Sequence, residues 1–546
     1  MNNSSPRAMA ETSQDKAPAV TGGTTSGATS TLPRIPWWPS LVAAVLAGIV
    51  AFWGMTQPQF WFDETATISA VERPLSSMVG MLSTIDAVHG LYYLVMYPWA
   101  AVFGTSELAM RTPSALALMV TAAVITRIGM TYARRYMPQR MVFVGLLIAV
   151  IGAVLPGLTW TGQEARGYAM AAMSVSLAWW CFERFIVTRN GLLMVGFGLA
   201  LAAATGFSLY CIFLLPVFFI RVLALGWKAA LNYAIAGVLV VVACAPLAYI
   251  GSLQSAQVSW IHYTLREVLY YMAYHVFFIS PRNYRGDFSD QIMAIAPFLA
   301  LFAVLITVAG LILSRARGIM LWLLALIFFP FAVVVVAQLT GGQYFQERYL
   351  AFTSPAVVVL LALGLAAIPW RVAGAVLAVV FAGLSFPSLL GQNGEFAKDD
   401  AYGTAAQEAE QADTVIFMNE QHRGIFIAYP PEHEVADPML VVDAADSETL
   451  WGINQPYELA WELEETGSVA VVSYHDDANF PLVEGNLLEN QCTLEDDNWD
   501  SRFRVTTFEC PDTIPNAQEP DAAGPTPQEP GTQDQAGEAE PVTPGA

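Results

Sequence analysis

Asp63 and Glu64 stand side by side in the stretch FWFDETATISA, directly after the first long apolar run. Neighbouring carboxylates among aromatic residues at a membrane surface can take a proton from a hydroxyl, or bind a cation or sugar hydroxyls. An Asp before ETATIS is equally a good helix N-cap. Three further clusters carry groups of the same kind. His89, in STIDAVHGLYY, can hydrogen-bond a phosphate or a sugar, or serve as a polar anchor. Arg111, shortly after it in SELAMRTPSALA, reads as an interface residue with its charge drawn toward water. Gln163, Glu164, Arg166 and Tyr168 crowd the short turn in TWTGQEARGYAM, where such groups are costly unless paired. An internal Glu164–Arg166 ion pair would cap that turn. Glu347, Arg348 and Tyr349 open an apolar run in GGQYFQERYLAFTSP. Arg348 there can grip a phosphate through paired hydrogen bonds, or anchor the interface. Together the clusters fit a site that needs a base and an anion clamp.

Those residues must be held by apolar helices. The 546-residue chain is 55% hydrophobic and 13% charged, too apolar for a soluble protein of this length. Apolar runs predict about eleven spans, near 38–56, 108–132, 141–160, 168–187, 192–207, 209–226, 231–252, 292–314, 318–338, 350–368 and 372–390. The first is not followed by a small-residue cleavage site and reads as an anchor. The stretch 89–104 has only 16 residues and reads as an interfacial or re-entrant segment. Omitting it as a span puts Arg134, Arg135, Arg140, Arg184, Arg189, Arg221, Lys228, Arg315, Arg317 and Arg371 on the inside, with the N-terminus. Ten of the 13 acids before residue 391 then fall at the outer face, so the chemistry is expected there. Within the outer loop 253–291, VSWIHYTLREVLYY is an amphipathic aromatic segment suited to the lipid surface.

Charge divides the chain. The first 390 residues hold 21 basic and 13 acidic residues, and the remainder holds 33 acidic and four basic. So acidic an end argues against nucleic-acid binding. The reading is a disordered cytoplasmic tail (1–36) and a transmembrane domain (37–390) whose first outer loop is 57–107. An extracytoplasmic α/β domain (391–513) and a disordered acidic, Pro-rich tail (514–546) follow. In the α/β domain DTVIFMNE, GIFIAYP, MLVVDAA, SVAVVSYH and RFRVTTFEC predict strands, and AYGTAAQEAEQA and PYELAWELEE predict helices. Cys492 and Cys510 can form a disulfide if exported, or remain free thiols.

The ordered set of DE in the first outer loop, HGLYY…FGTSELAMRTPSALA, QEARGYA and ERYLAFTSP, over residues 38–390, resembles the multi-spanning GT-C glycosyltransferases. It is most similar to the branch of protein O-mannosyltransferases and lipid A aminoarabinose transferases, and the whole arrangement resembles mannosyltransferases of mycolate-containing actinobacteria. Two positions depart from that pattern: Gly90 replaces the Pro that follows the motif His in many relatives, and GFSLYCIFLLP lacks a His often found there. The resemblance implies a GT-C-like polytopic α-helical protein of the plasma (inner) membrane. It implies transfer of a sugar, mannose by default, from a polyprenyl-phosphate donor to a glycan, lipoglycan or protein hydroxyl, with inversion. Asp63 would be the base and Glu64 its helper at acceptor or sugar. Arg166, Arg348, Tyr349 and His89 would bind the donor and its phosphate, and Gln163, Glu164, Tyr168 and Glu347 would shape the pocket. No metal or other cofactor is required on this reading. The competing reading is a transporter or flippase of lipid-linked sugars.

Overall fold

The computed structural model describes residues 33–279, 288–395, 397–398, 401–455, 467–475, 477–500 and 502–511. Among them, seven helices are long and apolar enough to cross a membrane: Glu107–Tyr136, Tyr168–Thr188, Trp227–Leu253, Ser289–Leu313, Arg317–Leu339, Glu347–Ala367 and Arg371–Gly391. The pair Pro138–Val154 and Pro156–Gln163, bent by 72°, makes an eighth if taken as one broken span. Three expected spans are shorter apolar helices, Trp38–Phe52, Gly191–Phe207 and Leu209–Leu223. A 15-residue helix such as the first reaches about 22 Å, short of a hydrocarbon core of about 30 Å. Large apolar side chains stay exposed along the bundle, among them Leu199, Val238, Leu305, Ile312 and Val379. Water disfavours so much apolar surface, whereas hydrocarbon accepts it from helices that satisfy their own backbone. This is a multi-pass membrane protein.

The bend has a local cause. Pro156 has no amide hydrogen to give, and it drives Leu155 out of the helical region, to φ −70° and ψ 110°. Gly157 then lets helix Leu265–Phe278 pack against the bend, since a Cβ there would lie 2.0 Å from the Val276 carbonyl oxygen. The turn beyond the bend becomes a short 3₁₀ helix, Trp160–Gln163, and an extended strap through Glu164 to the next span. At the centre of the bundle lies Glu347–Ala367, the most deeply buried of the seven spans. It crosses Ser289–Leu313 so closely that a Cβ on Gly364 would lie 2.7 Å from the Ile306 carbonyl oxygen, a contact only a small residue allows. Arg221, among the charges expected inside, lies in the last turn of Leu214–Leu223 and pairs with buried Glu183, whose carboxylate also accepts from Tyr132 at 2.6 Å.

The loop after the first helix folds into three short helices, Phe62–Glu72, Leu75–Thr84 and Gly90–Phe103. Its last is 14 residues long and carries Pro98, shorter than a hydrocarbon core of about 30 Å requires. The C-terminal domain docks on this loop. Tyr429 accepts from the Phe60 amide at 2.8 Å and donates to Glu107 at 2.9 Å. Arg73 donates to the Thr449 carbonyl at 2.8 Å, and the rings of Phe62 and Trp451 lie 5.4 Å apart.

The domain itself has six strands: β1 (Thr414–Phe417), β2 (Leu440–Val442), β3 (Ile453–Asn454), β4 (Ser468–Tyr474), β5 (Thr493–Asp500) and β6 (Phe503–Glu509). The main sheet runs β1-β4-β6-β5, with β1 parallel to β4 and the other pairs antiparallel; β2 and β3 form a separate ribbon. GIFIAYP is not a strand: Gly424–Ala428 is a helical turn against Phe62–Glu72. A Cβ on Gly424 would meet the Tyr402 ring at 2.9 Å and the Thr65 hydroxyl at 3.1 Å. PYELAWELEE lies outside the described residues. Cys492 and Cys510 form a disulfide that joins the start of β5 to the end of β6.

Candidate active site

Helix Phe62–Glu72 begins without a side-chain cap; Trp61 holds the N-cap position, and Asp63 is already in the first turn. The N-cap alternative for Asp63 is therefore not what the chain uses. The carboxylate still gains from the positive end of the helix dipole. Its Oδ2 lies 3.6 Å from Arg348 Nε and 4.0 Å from Arg166 Nε, and its side chain is only 12% exposed. Two motifs 103 and 285 residues downstream thus converge on one oxygen, carried by the strap and by the central span.

Glu64 has a different position. It is fully buried, with Arg111 Nε at 2.9 Å and Nη2 at 2.7 Å, Lys398 Nζ at 2.9 Å and the Ala165 amide at 2.8 Å. Both oxygens are occupied by donors, so Glu64 ties the site together and is not placed to meet acceptor or sugar. Arg111 corrects the interface reading: it is wholly buried and also donates to the carbonyls of Met55 at 2.5 Å and Pro58 at 2.8 Å. The expected Glu164–Arg166 pair does not form. Glu164 accepts from Trp61 Nε1 at 2.7 Å and meets Lys398 at 2.7 Å. Glu64, Glu164, Arg111 and Lys398 form a buried quartet of two carboxylates and two cations. Burial raises the Glu64 pKa, but Arg111 and Lys398 outweigh it and hold the group below the usual range. Burial pushes Glu164 up to about 7, opposed by Lys398 and reinforced by Glu64. Arg111→Met leaves Glu64 short of its bidentate partner and is expected to cost about 3–5 kcal/mol of stability. Equilibrium unfolding in detergent checks this; a change under about 1 kcal/mol would show that the pair behaves like a surface contact.

Arg166 and Arg348 are held by aromatic groups. Arg166 donates to the Tyr93 hydroxyl at 2.9 Å, and Tyr93 donates to Asp86 at 2.5 Å. The Arg348 guanidinium lies 5.5 Å from the Trp61 ring centre and 5.6 Å from that of Tyr349, and donates to Gln346 at 3.3 Å. Among the described residues, the Nε of each arginine and the Tyr168 hydroxyl are buried without a hydrogen-bond partner. Such donors are expensive in a protein interior unless an acceptor, whether water or a ligand oxygen, meets them. Tyr168 stacks on Trp160 at 5.4 Å, and Tyr349 lies 5.5 Å from Tyr210.

The remaining expected residues divide. Gln163 was expected to shape the pocket, but its amide donates to Trp53 O at 3.1 Å and Asn393 Oδ1 at 3.0 Å, which fastens the strap to the end of the first helix. Glu347 is buried, and its Oε2 is without a hydrogen-bond partner among the described residues. His89 stands beside Tyr93, ring centres 6.3 Å apart. Burial and then Arg166 push its pKa down to about 4, so it is neutral at physiological pH and meets an anion only as a hydrogen-bond partner. The folded state therefore resists a proton that the unfolded chain accepts below about pH 6.5. Stability falls as pH drops from there toward 4, and His89→Gln is expected to flatten that part of a melting-temperature profile. An unchanged slope would assign the acid sensitivity elsewhere. Residues that sequence reading missed are Trp61, Asp86, Tyr93 and Lys398. Among the described residues, no three His, Cys, Asp or Glu side chains are grouped so as to hold a metal ion.

No protein-family model matches the sequence, and no curated protein matches it. Solved structures do. ArnT from Cupriavidus metallidurans in the apo state superposes with a TM-score of 0.53 at 15% identity, over 86% of this chain and 97% of that one. The chain has a GT-C-like fold. ArnT bound to undecaprenyl phosphate gives a TM-score of 0.51 at 14% identity, over 86% and 98%. The archaeal oligosaccharyltransferase AglB from Archaeoglobus fulgidus, in complex with an inhibitory peptide and a dolichol-phosphate, gives 0.43 at 10% identity, over 80% of this chain and 69% of that one.

Proposed function

We propose that the protein is a membrane glycosyltransferase that moves a sugar from a polyprenyl-phosphate-sugar donor to a hydroxyl acceptor at the outer face of the plasma membrane. The N-terminus would lie in the cytoplasm and the C-terminal domain outside. The observation that carries the reading is one carboxylate, Asp63, facing two buried guanidiniums with orphaned Nε donors. The solved ArnT with bound undecaprenyl phosphate adds the donor class. In the reaction, Asp63 takes the proton of the acceptor hydroxyl as its oxygen attacks the anomeric carbon. The bond from that carbon to the phosphate oxygen breaks, and the polyprenyl phosphate leaves with the electron pair. Arg166, Arg348 and the Tyr168 hydroxyl receive the negative charge that develops on the phosphate. One displacement inverts the anomeric centre, and the residues named suffice without a metal.

Mannose is the proposed sugar, on the motif resemblance alone, and the acceptor is a cell-envelope glycan, lipoglycan or protein. Purified protein in lipid vesicles, given radiolabelled polyprenyl-phosphate mannose, pentose or aminopentose and candidate acceptors, tests this. Label should pass to an acceptor from one donor and with inverted anomeric configuration. Label that crosses the vesicle wall still attached to the lipid would instead assign the protein to transport.

A further inference from the structure

We propose that Lys398 is a positioning residue for this transfer: its ammonium pins the Asp63–Glu64 turn to the Gln163–Arg166 strap and so sets the spacing of base and phosphate clamp. The inference rests on the Asp63 reading above, and it assigns a task to the segment that follows the last span.

Lys398 lies beyond helix Arg371–Gly391, with a side chain only 6% exposed. Its Nζ is 2.9 Å from Glu64 Oε1 and 2.7 Å from Glu164 Oε1, and it donates to the Gln163 carbonyl at 3.0 Å. Of these contacts the one to Gln163 is a hydrogen bond, and the two to the carboxylates are ion pairs, so three protein oxygens surround the ammonium. With its side chain only 6% exposed and three protein oxygens around it, Lys398 is placed to join protein groups rather than to meet a substrate. Each carboxylate that it joins adjoins a working group: Glu64 follows Asp63, and Glu164 comes two residues before Arg166. The two segments are also tied by the Asp63–Arg166 ion pair at 4.0 Å and by single hydrogen bonds, from the Ala165 amide to Glu64 at 2.8 Å, from Thr67 to the Ala165 carbonyl at 3.0 Å, and from Trp61 to Glu164 at 2.7 Å. Among the described residues, Lys398 is the one group in contact with both carboxylates and the strap backbone.

Charge makes the bridge hard to replace. With Lys398 gone, two buried carboxylates share the single guanidinium of Arg111, and one is left uncompensated. Glu164 is the one that takes up a proton, being already pushed up to about 7 by burial, with Glu64 adding to the effect. A neutral Glu164 no longer draws the strap toward Glu64, and the 4.0 Å separation of Asp63 from Arg166 is then free to widen. A misplacement of about 1 Å costs about 100-fold in rate.

The test uses the full-length protein in lipid vesicles with the polyprenyl-phosphate-sugar donor that it accepts. Lys398→Met is expected to lower kcat about 100-fold with little change in acceptor KM, and to lower the melting temperature. Lys398→Met combined with Glu164→Gln restores charge neutrality, and with it most of the melting temperature, but leaves kcat low because the bridge is still missing. Lys398→Arg, which can span both carboxylates, recovers kcat to within about tenfold of wild type. Wild-type kcat in the double variant would overturn the proposal and leave Lys398 as charge balance only. Wild-type kcat in Lys398→Met would overturn it as well. If the wild type transfers no sugar, the transferase reading is wrong, and if Asp63→Asn transfers as the wild type does, the base assignment is wrong; in either case the present inference falls, whereas the Lys398 outcomes leave both readings standing.

Discussion

Asp63→Asn should cut transfer by about 10²–10⁴-fold, the usual contribution of a positioned general base, while donor binding holds or tightens. The substitution keeps shape and helix position, and it removes only the negative charge and the proton acceptor. In the resting site that charge offsets Arg348 at 3.6 Å and Arg166 at 4.0 Å. Without it the two guanidiniums face an uncompensated gap, and a phosphate gains from entering. The expected signature is thus a split, with kcat collapsed and the dissociation constant for polyprenyl phosphate unchanged or lower. Transfer within tenfold of wild type would exclude Asp63 as the base. A loss of both kcat and donor affinity would place Asp63 in architecture instead, as Glu64 is. Glu64→Gln is the contrasting control, because it weakens the Arg111 and Lys398 contacts and so lowers folding yield.

The contrast between the two adjacent acids shows what sequence can and cannot carry. Asp63, Arg166 and Arg348 were legible because each lies in a polar cluster at the end of an apolar run, and polar groups there are conspicuous. Glu64 shares the same cluster, so sequence could not separate it from Asp63; its partner Arg111 is 47 residues away and fully buried. Seen alone, Arg111 is an arginine near the end of a span, and the surface reading is natural. Lys398 carried a faint signal as one of four basic residues after residue 390. Its backbone acceptor at Gln163 is 235 residues away, which no local pattern reveals.

The fold divides in the same way. Long apolar runs located the helices well, since a helix in hydrocarbon needs little beyond composition. Proline 156 explains why one of them breaks and delivers the strap. In the C-terminal domain TLEDDNWD forms β5 although acids fill it and it carries little of the apolar alternation that marks a strand. It is an edge strand paired only with β6, and there charge is tolerated. Asp497 meets Arg504 at 2.7 Å and Thr506 at 2.9 Å from across that pair. GIFIAYP failed in the opposite sense: its apolar residues suit a strand, but Gly424 packs under Tyr402 and against Thr65, and tertiary contact decides the turn.

Arg348→Lys tests the other half of the mechanism and should act with the opposite sign on binding. Arg348 opens the most buried span, so its backbone cannot shift easily. The rings of Trp61 and Tyr349 lie within 6 Å of its guanidinium, and this packing fixes the plane of the fork. Lysine keeps the charge but has neither the fork nor the flat face, so the gap left beside Asp63 is filled poorly. Removing one preorganised donor at a developing charge costs about 10²–10³ in kcat. Charge builds on the phosphate as its bond to the sugar breaks, so the rate should fall more than affinity does. Both should nevertheless fall, whereas Asp63→Asn spares affinity. Arg166→Lys should behave like Arg348→Lys, and Tyr93→Phe should show a weaker version of it, since Tyr93 anchors Arg166 at 2.9 Å. Combining the two arginine changes should cost less than the product of the single losses, because both serve one phosphate. An Arg348→Lys protein with wild-type kcat would remove this arginine from the clamp. An Arg348→Lys protein with lost affinity but normal kcat would show that it binds the donor without stabilising the leaving group.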